Sequence, residues 1–80
     1  MLPRGMKLFV ADYIDVDTNW QYYKYVVGMS YNSAFNRWYK DTCKCLREFD
    51  YYFDEVEDEE EIKYFVNIHE NIKAGIYDKY

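Results

Sequence analysis

Aromatic side chains occupy 18 of the 80 positions, and 11 of those are tyrosines. A single core is all that 80 residues can build, and it is a small one. Tyrosine favours sites where the ring is covered and the hydroxyl stays wet. So many rings cannot all be enclosed, and some must line a groove, a partner surface or an oligomer interface.

The order of the rings suggests their scaffold. Lys7 to Ile14 and Trp20 to Met29 are rich in aromatic and β-branched residues, and the polar stretch Asp15-Val16-Asp17-Thr18-Asn19 lies between them. This predicts a β-hairpin with a loop of about five residues. On its second strand Tyr23, Tyr25, Val27 and Met29 share one face, and Trp20, Tyr22, Lys24 and Val26 share the other. One face is expected to be core and the other to show its rings to solvent or a partner.

Ser30, Asn32 and Ser33 are helix-capping residue types. Beyond them Phe35, Trp38, Tyr39, Thr42, Leu46 and Phe49 recur at helical spacing, which predicts an amphipathic helix. Arg37, Lys40, Lys44 and Arg47 give it a basic edge. Asp50 to Val56 alternates and reads as a short third strand. Asp58 with Glu61 resembles a capping box for a last helix carrying Ile62, Phe65, Val66, His69, Ile72 and Ile76, with Gly75 as its C-cap. A strand over Lys63 to His69 is the competing reading. The expected architecture is a single α+β domain, order β-β-α-β-α, with both helices on one face of a small antiparallel sheet. Met1-Leu2-Pro3-Arg4-Gly5 is taken as a leader outside the fold. No apolar run approaches the roughly 18 residues of a membrane helix, and no signal-peptide pattern follows the basic start. The chain therefore reads as soluble and cytoplasmic.

Enzyme chemistry finds little to stand on. Asp15, Asp17 and Asn19 imitate the opening of a calcium-binding loop, but Trp20 and Val26 stand where glycine and glutamate are needed. Cys43, Cys45 and the lone His69 do not make a zinc spacing. The two cysteines point apart on a helix and read as free thiols, and His69 reads as a hydrogen-bonded core residue. There is no phosphate loop or nucleophile elbow. The expectation is a binding module, with no cofactor and no metal.

Charge carries the remaining signal. Met1 to Arg47 has seven Lys/Arg and four Asp, whereas Glu48 to Tyr80 has eleven acids and three Lys, for a net charge of −5 overall. Glu48, Asp50, Asp54, Glu55, Glu57, Asp58, Glu59, Glu60 and Glu61 place nine carboxylates in fourteen residues. Such a balance opposes direct binding to phosphate backbones. Three readings are open: a solvated helix N-terminus, neutralisation by the Arg37/Lys40/Lys44/Arg47 stripe, and recognition of a basic groove by carboxylates that imitate phosphates. Like-charge crowding disfavours folding. Recognition would use Asp54, Glu55, Glu57, Asp58, Glu59, Glu60 and Glu61, with Tyr51, Tyr52, Trp20 and Tyr22 as neighbouring anchors.

The whole-chain profile, with Asp54-Glu55-Val56-Glu57-Asp58-Glu59-Glu60-Glu61 at its centre, resembles the small phage- or mobile-element-encoded anti-CRISPR and anti-restriction proteins. Many of these block a nucleic-acid-binding enzyme, several by mimicking DNA. The resemblance implies a protein partner with a basic nucleic-acid-binding groove, met by a monomer or homodimer. Self-association through a Tyr-rich sheet face, with Tyr22 and Tyr25 central, is a second expectation. Stacking of single-stranded nucleic acid on the rings is a weaker third.

Overall fold

The hairpin forms where alternation and turn chemistry place it. In the computed structural model, which describes residues 2–79, β1 (Lys7–Asp15) and β2 (Gln21–Gly28) pair antiparallel from Ile14↔Gln21 to Lys7↔Gly28. Asp15 N donates to Trp20 O at 2.9 Å, and Asn19 N donates to Asp15 O at 2.7 Å. Asn19 takes φ 62°, a left-handed conformation that asparagine tolerates better than most residues. The Asp15 carboxylate accepts from Asp17 N at 2.9 Å, so it serves the turn itself.

Helix α1 (Tyr31–Cys45) starts at Ser30, which exchanges bonds with Ser33 in a capping box. It ends one turn earlier than the Phe35–Phe49 spacing suggests, with Leu46 as its C-cap. Phe49 instead opens β3 (Phe49–Glu55) and still reaches the same core, with its ring 5.9 Å from Trp38. α2 (Glu59–Ile68) follows after a three-residue break, which excludes a strand over Lys63 to His69. It stops at Ile68, so Ile72, Ile76 and Gly75 are not parts of it. Gly75–Asp78 is a fourth strand, β4, unforeseen in the sequence reading.

The sheet order is β3-β1-β2-β4, all neighbours antiparallel. α1 links β2 to β3 across one face, and α2 links β3 to β4 across the other. The expected placement of both helices on one face is therefore corrected, and the cores record it. Phe9, Ala11, Tyr13, Val26 and Phe53 pack beneath Ala34 and Trp38 of α1. Leu8, Tyr25, Val27 and Val56 pack beneath Phe65 of α2. Adjacent residues of one strand, such as Leu8 and Phe9, feed opposite cores because successive side chains point to opposite faces. Leu2 and Met6 join the α2 core, so the segment set aside as a leader contributes apolar surface; Met1 lies outside the described residues.

Trp38 is fully buried and touches Tyr13, Phe53 and Tyr51 at ring separations of 5.2, 5.4 and 5.4 Å. Most of the aromatic content is therefore structural, gathered on the α1 face. α2 is shorter and covers only the Gly28 end of its face. The hairpin-turn end of that face stays open.

Candidate functional site

The acidic run becomes an ordered edge fastened at three points. Val56 is buried, and its N–H donates to Leu8 O at 2.8 Å. Asp58 caps α2 by accepting from Glu60 N at 2.9 Å. Glu61 does not complete the expected capping box. It accepts instead from the Tyr25 hydroxyl at 2.7 Å and stands 3.8 Å from Lys79 Nζ. Burial, and then this carboxylate, push the Tyr25 phenol well above its ordinary value.

Between these anchors Glu57, Glu59 and Glu60 are exposed, and among the described residues no ion pair takes any of them. Asp54, on β3, accepts from the Tyr52 hydroxyl at 3.2 Å and from Glu55 N at 2.8 Å. Glu55 is half-buried at the strand end, and Glu48 and Asp50 are exposed. The run splits accordingly: Asp54, Asp58 and Glu61 hold local structure, and Glu57, Glu59 and Glu60 are left for water or a partner.

The anticipated aromatic anchors do not share one surface. Tyr51 lies on the α1 face against Phe35, Trp38 and Tyr39. Tyr22 lies on that face too, stacked on Tyr13 at 5.1 Å. Trp20 falls outside β2, in the hairpin loop, and is 65% exposed. Tyr52 alone of the four is on the α2 face, where Asp12 faces it from β1 and Tyr23 follows from β2. Tyr23 is the ring that the sequence reading missed as a partner of Tyr52. Strict alternation from the buried Tyr25 would have placed it there. Tyr25 itself is buried and Tyr22 half-buried, so neither offers the free ring that self-association would use.

The basic stripe does not meet the acids. Arg37, Lys40 and Lys44 line a shallow cleft with Gly75 and Ile76, on the α1 face beside β4. Arg47, beyond the helix end, binds Asp17 through Nη2 at 2.7 Å and Nε at 3.2 Å. That pairing raises the guanidinium above its ordinary value. β4 is tied to β2 by the pair Lys24–Asp78.

Cys43 and Cys45 are free and exposed. His69 caps the C-terminus of α2 and is wedged 4.5 Å from the Phe65 ring and 4.9 Å from that of Tyr77. Its buried Nε2 has no hydrogen-bond partner among the described residues, contrary to the expected bonded core histidine. Among those residues no group of three or more His, Cys, Asp or Glu is gathered as metal ligands would be. No helix is long and apolar enough to cross a membrane. No protein family, no curated protein and no solved structure matches this chain.

Proposed function

We propose that this protein is an inhibitor of the anti-CRISPR type. It seats its acidic edge in the basic groove of a nucleic-acid-binding nuclease or effector, within a host cytoplasm, and so keeps nucleic acid out by occupancy. The reading is carried by one observation. Glu57, Glu59 and Glu60 stand exposed on a corner fixed by Val56, Asp58 and Glu61, without ion pairs among the described residues. Carboxylates held on an ordered element lose little further freedom on binding, which favours recognition over a loose acidic tail. Charge complementarity then speeds encounter and selects a basic partner.

Cleavage assays with purified CRISPR effectors and restriction nucleases test this reading. The chain should inhibit at least one of them, and inhibition should weaken steeply between about 50 and 500 mM salt as the Debye length contracts. Joint substitution Glu57→Lys, Glu59→Lys and Glu60→Lys should abolish the effect. Inhibition that survives the triple substitution overturns the reading.

A further inference from the structure

The half of the sheet that α2 leaves open has a definite chemistry. Across β2, β1 and β3 the register sets Tyr23, Asp12 and Tyr52 in one row, and Gln21, Ile14 and Asp50 in the next. Tyr23 is 46% exposed and Tyr52 58%. A shallow hollow of about 300 Å³ opens on the Tyr52 side of these rows, lined by Asp12, Ile14, Gln21, Asp50 and Tyr52 together with Tyr13 and Tyr51 of the other face, and Tyr23 stands at its margin, outside the lining. Asp54 adds a third carboxylate beside Tyr52.

We propose that this open half-face is the docking surface for an arginine-bearing segment of the partner protein, with one guanidinium set between Tyr23 and Tyr52 against the Asp12 carboxylate. The inference rests on the proposed inhibitor reading and deepens it, by naming what the basic partner contributes. Neighbouring strands lie about 4.8 Å apart, so the two tyrosines emerge about 10 Å from each other with Asp12 between them.

Three further observations favour this occupant. Asp12 Oδ1 is buried and has no hydrogen-bond partner among the described residues. A buried acceptor left without a donor is costly, and a guanidinium seated beside Asp12 would supply one. Tyr52 is held in place by its bond to Asp54, and Asp54 first, then loss of water contact, and only after these Asp12, raise its phenol above the ordinary value. This is the mark of a negative field that a cation would relieve. Lys79, which follows β4, is engaged elsewhere, 5.5 Å from the Tyr25 ring centre and 3.8 Å from Glu61.

Other occupants fit less well. A second copy would set Asp12, Asp50 and Asp54 against the same acids, and a phosphate backbone would be repelled. Arginine suits the site better than lysine because its planar group stacks on rings, forks onto carboxylates and sheds water more readily.

The test is an amide-shift titration of the intact ¹⁵N-labelled chain with a short synthetic peptide of alternating arginine and serine. Shifts should centre on Asp12, Gln21, Tyr23 and Tyr52. Replacing arginine by lysine should weaken binding by about three- to tenfold, the range expected of a stacked cation, and citrulline should remove it. Joint Tyr23→Ser and Tyr52→Ser, or Asp12→Asn, should weaken it by about tenfold or more, with circular dichroism confirming the fold. Shifts confined to Glu57–Glu60, or equal affinity for the lysine peptide, overturn the inference. So does nuclease inhibition that is lost on altering Glu57, Glu59 and Glu60 but unchanged in the Tyr23/Tyr52 variant, an outcome that leaves the inhibitor reading intact. Docking of the peptide on the row, with no nuclease inhibited, supports the surface and removes the inhibitor reading instead.

Discussion

The Tyr25 hydroxyl donates to the Glu61 carboxylate across 2.7 Å, so the last acid of the run is held within the molecule and ties β2 to the first turn of α2. A hydrogen bond to a charged group contributes about 1.5–3 kcal/mol when well enclosed. Glu61 keeps 34% of its side chain exposed, which places this one at the lower end. Tyr25→Phe should therefore cost about 1–2 kcal/mol in urea unfolding. That corresponds to a fall in Tm of about 4–8 °C per kcal/mol for a domain of this size. An unchanged midpoint would show that α2 docks without this bond.

The same pair gives a pH dependence. Burial first, and Glu61 second, raise the Tyr25 phenol above its ordinary 10.0. Above pH 10.0 the unfolded chain releases this proton while the native chain keeps it. The native state then binds more protons, and stability falls as pH rises. The gap between wild type and Tyr25→Phe should be full below pH 10.0 and should close as pH climbs above it. Paired urea titrations at a series of alkaline pH values measure that gap. A gap that widens with pH would falsify the assigned role of the pair.

Gly28 ends β2 where α1 begins to pack. A Cβ there would stand 2.9 Å from Ala34 Cβ and 3.2 Å from Ala34 Cα. Ala34 is buried in the α1 core, and its backbone cannot yield without moving the first turn of the helix. Gly28→Ala should cost about 1–3 kcal/mol, as overpacking does in a close-packed interior. The variant should keep its secondary structure by circular dichroism and unfold at lower temperature.

How far the fold could be read beforehand depends on which signals were local. The hairpin, α1 and the strand-to-helix acidic edge follow from alternation, capping residues and helical spacing, all short-range. The two faces of the sheet were legible but under-read. Leu8-Phe9-Val10-Ala11 and Tyr25-Val26-Val27 are unbroken apolar runs rather than alternations, the pattern of strands covered on both sides. That pattern calls for a helix on each face. β4 was hidden because Ile72 and Ile76 continue the helical spacing set by Ile62 and Phe65. The break is at His69, the C-cap, whose backbone is already extended at φ −123° and ψ 132°; Asn71, at φ 53°, then turns the chain toward β4, a left-handed conformation that asparagine tolerates. The split of Tyr51 from Tyr52 follows from strand alternation alone, whereas the position of Trp20 outside β2 depends on where the hairpin turn closes. The Tyr23–Asp12–Tyr52 row needs the registers of both strand pairs, which are long-range facts.

Glu57 and Glu59 separate recognition from mere stabilisation of a helix start. Asp58 is the N-cap of α2, so Glu59 is in the first helical turn and Glu57 precedes the cap. A carboxylate in that turn gains about 0.3–1 kcal/mol from the helix dipole, whereas Glu57 sits before the helix and adds to like-charge crowding. Glu59→Gln should lower stability by about 0.3–1 kcal/mol at low salt, with the loss shrinking as salt screens the dipole. Glu57→Gln should leave the thermal midpoint unchanged or slightly raised. If the edge serves only to start a helix, Glu57→Gln has no consequence for function. If it enters a basic groove, Glu57→Gln and Glu59→Gln should weaken inhibition to similar extents despite opposite effects on Tm. Thermal melts and inhibition titrations on the two single variants make the comparison, and inhibition that tracks Tm across the pair would assign the acids to stability alone.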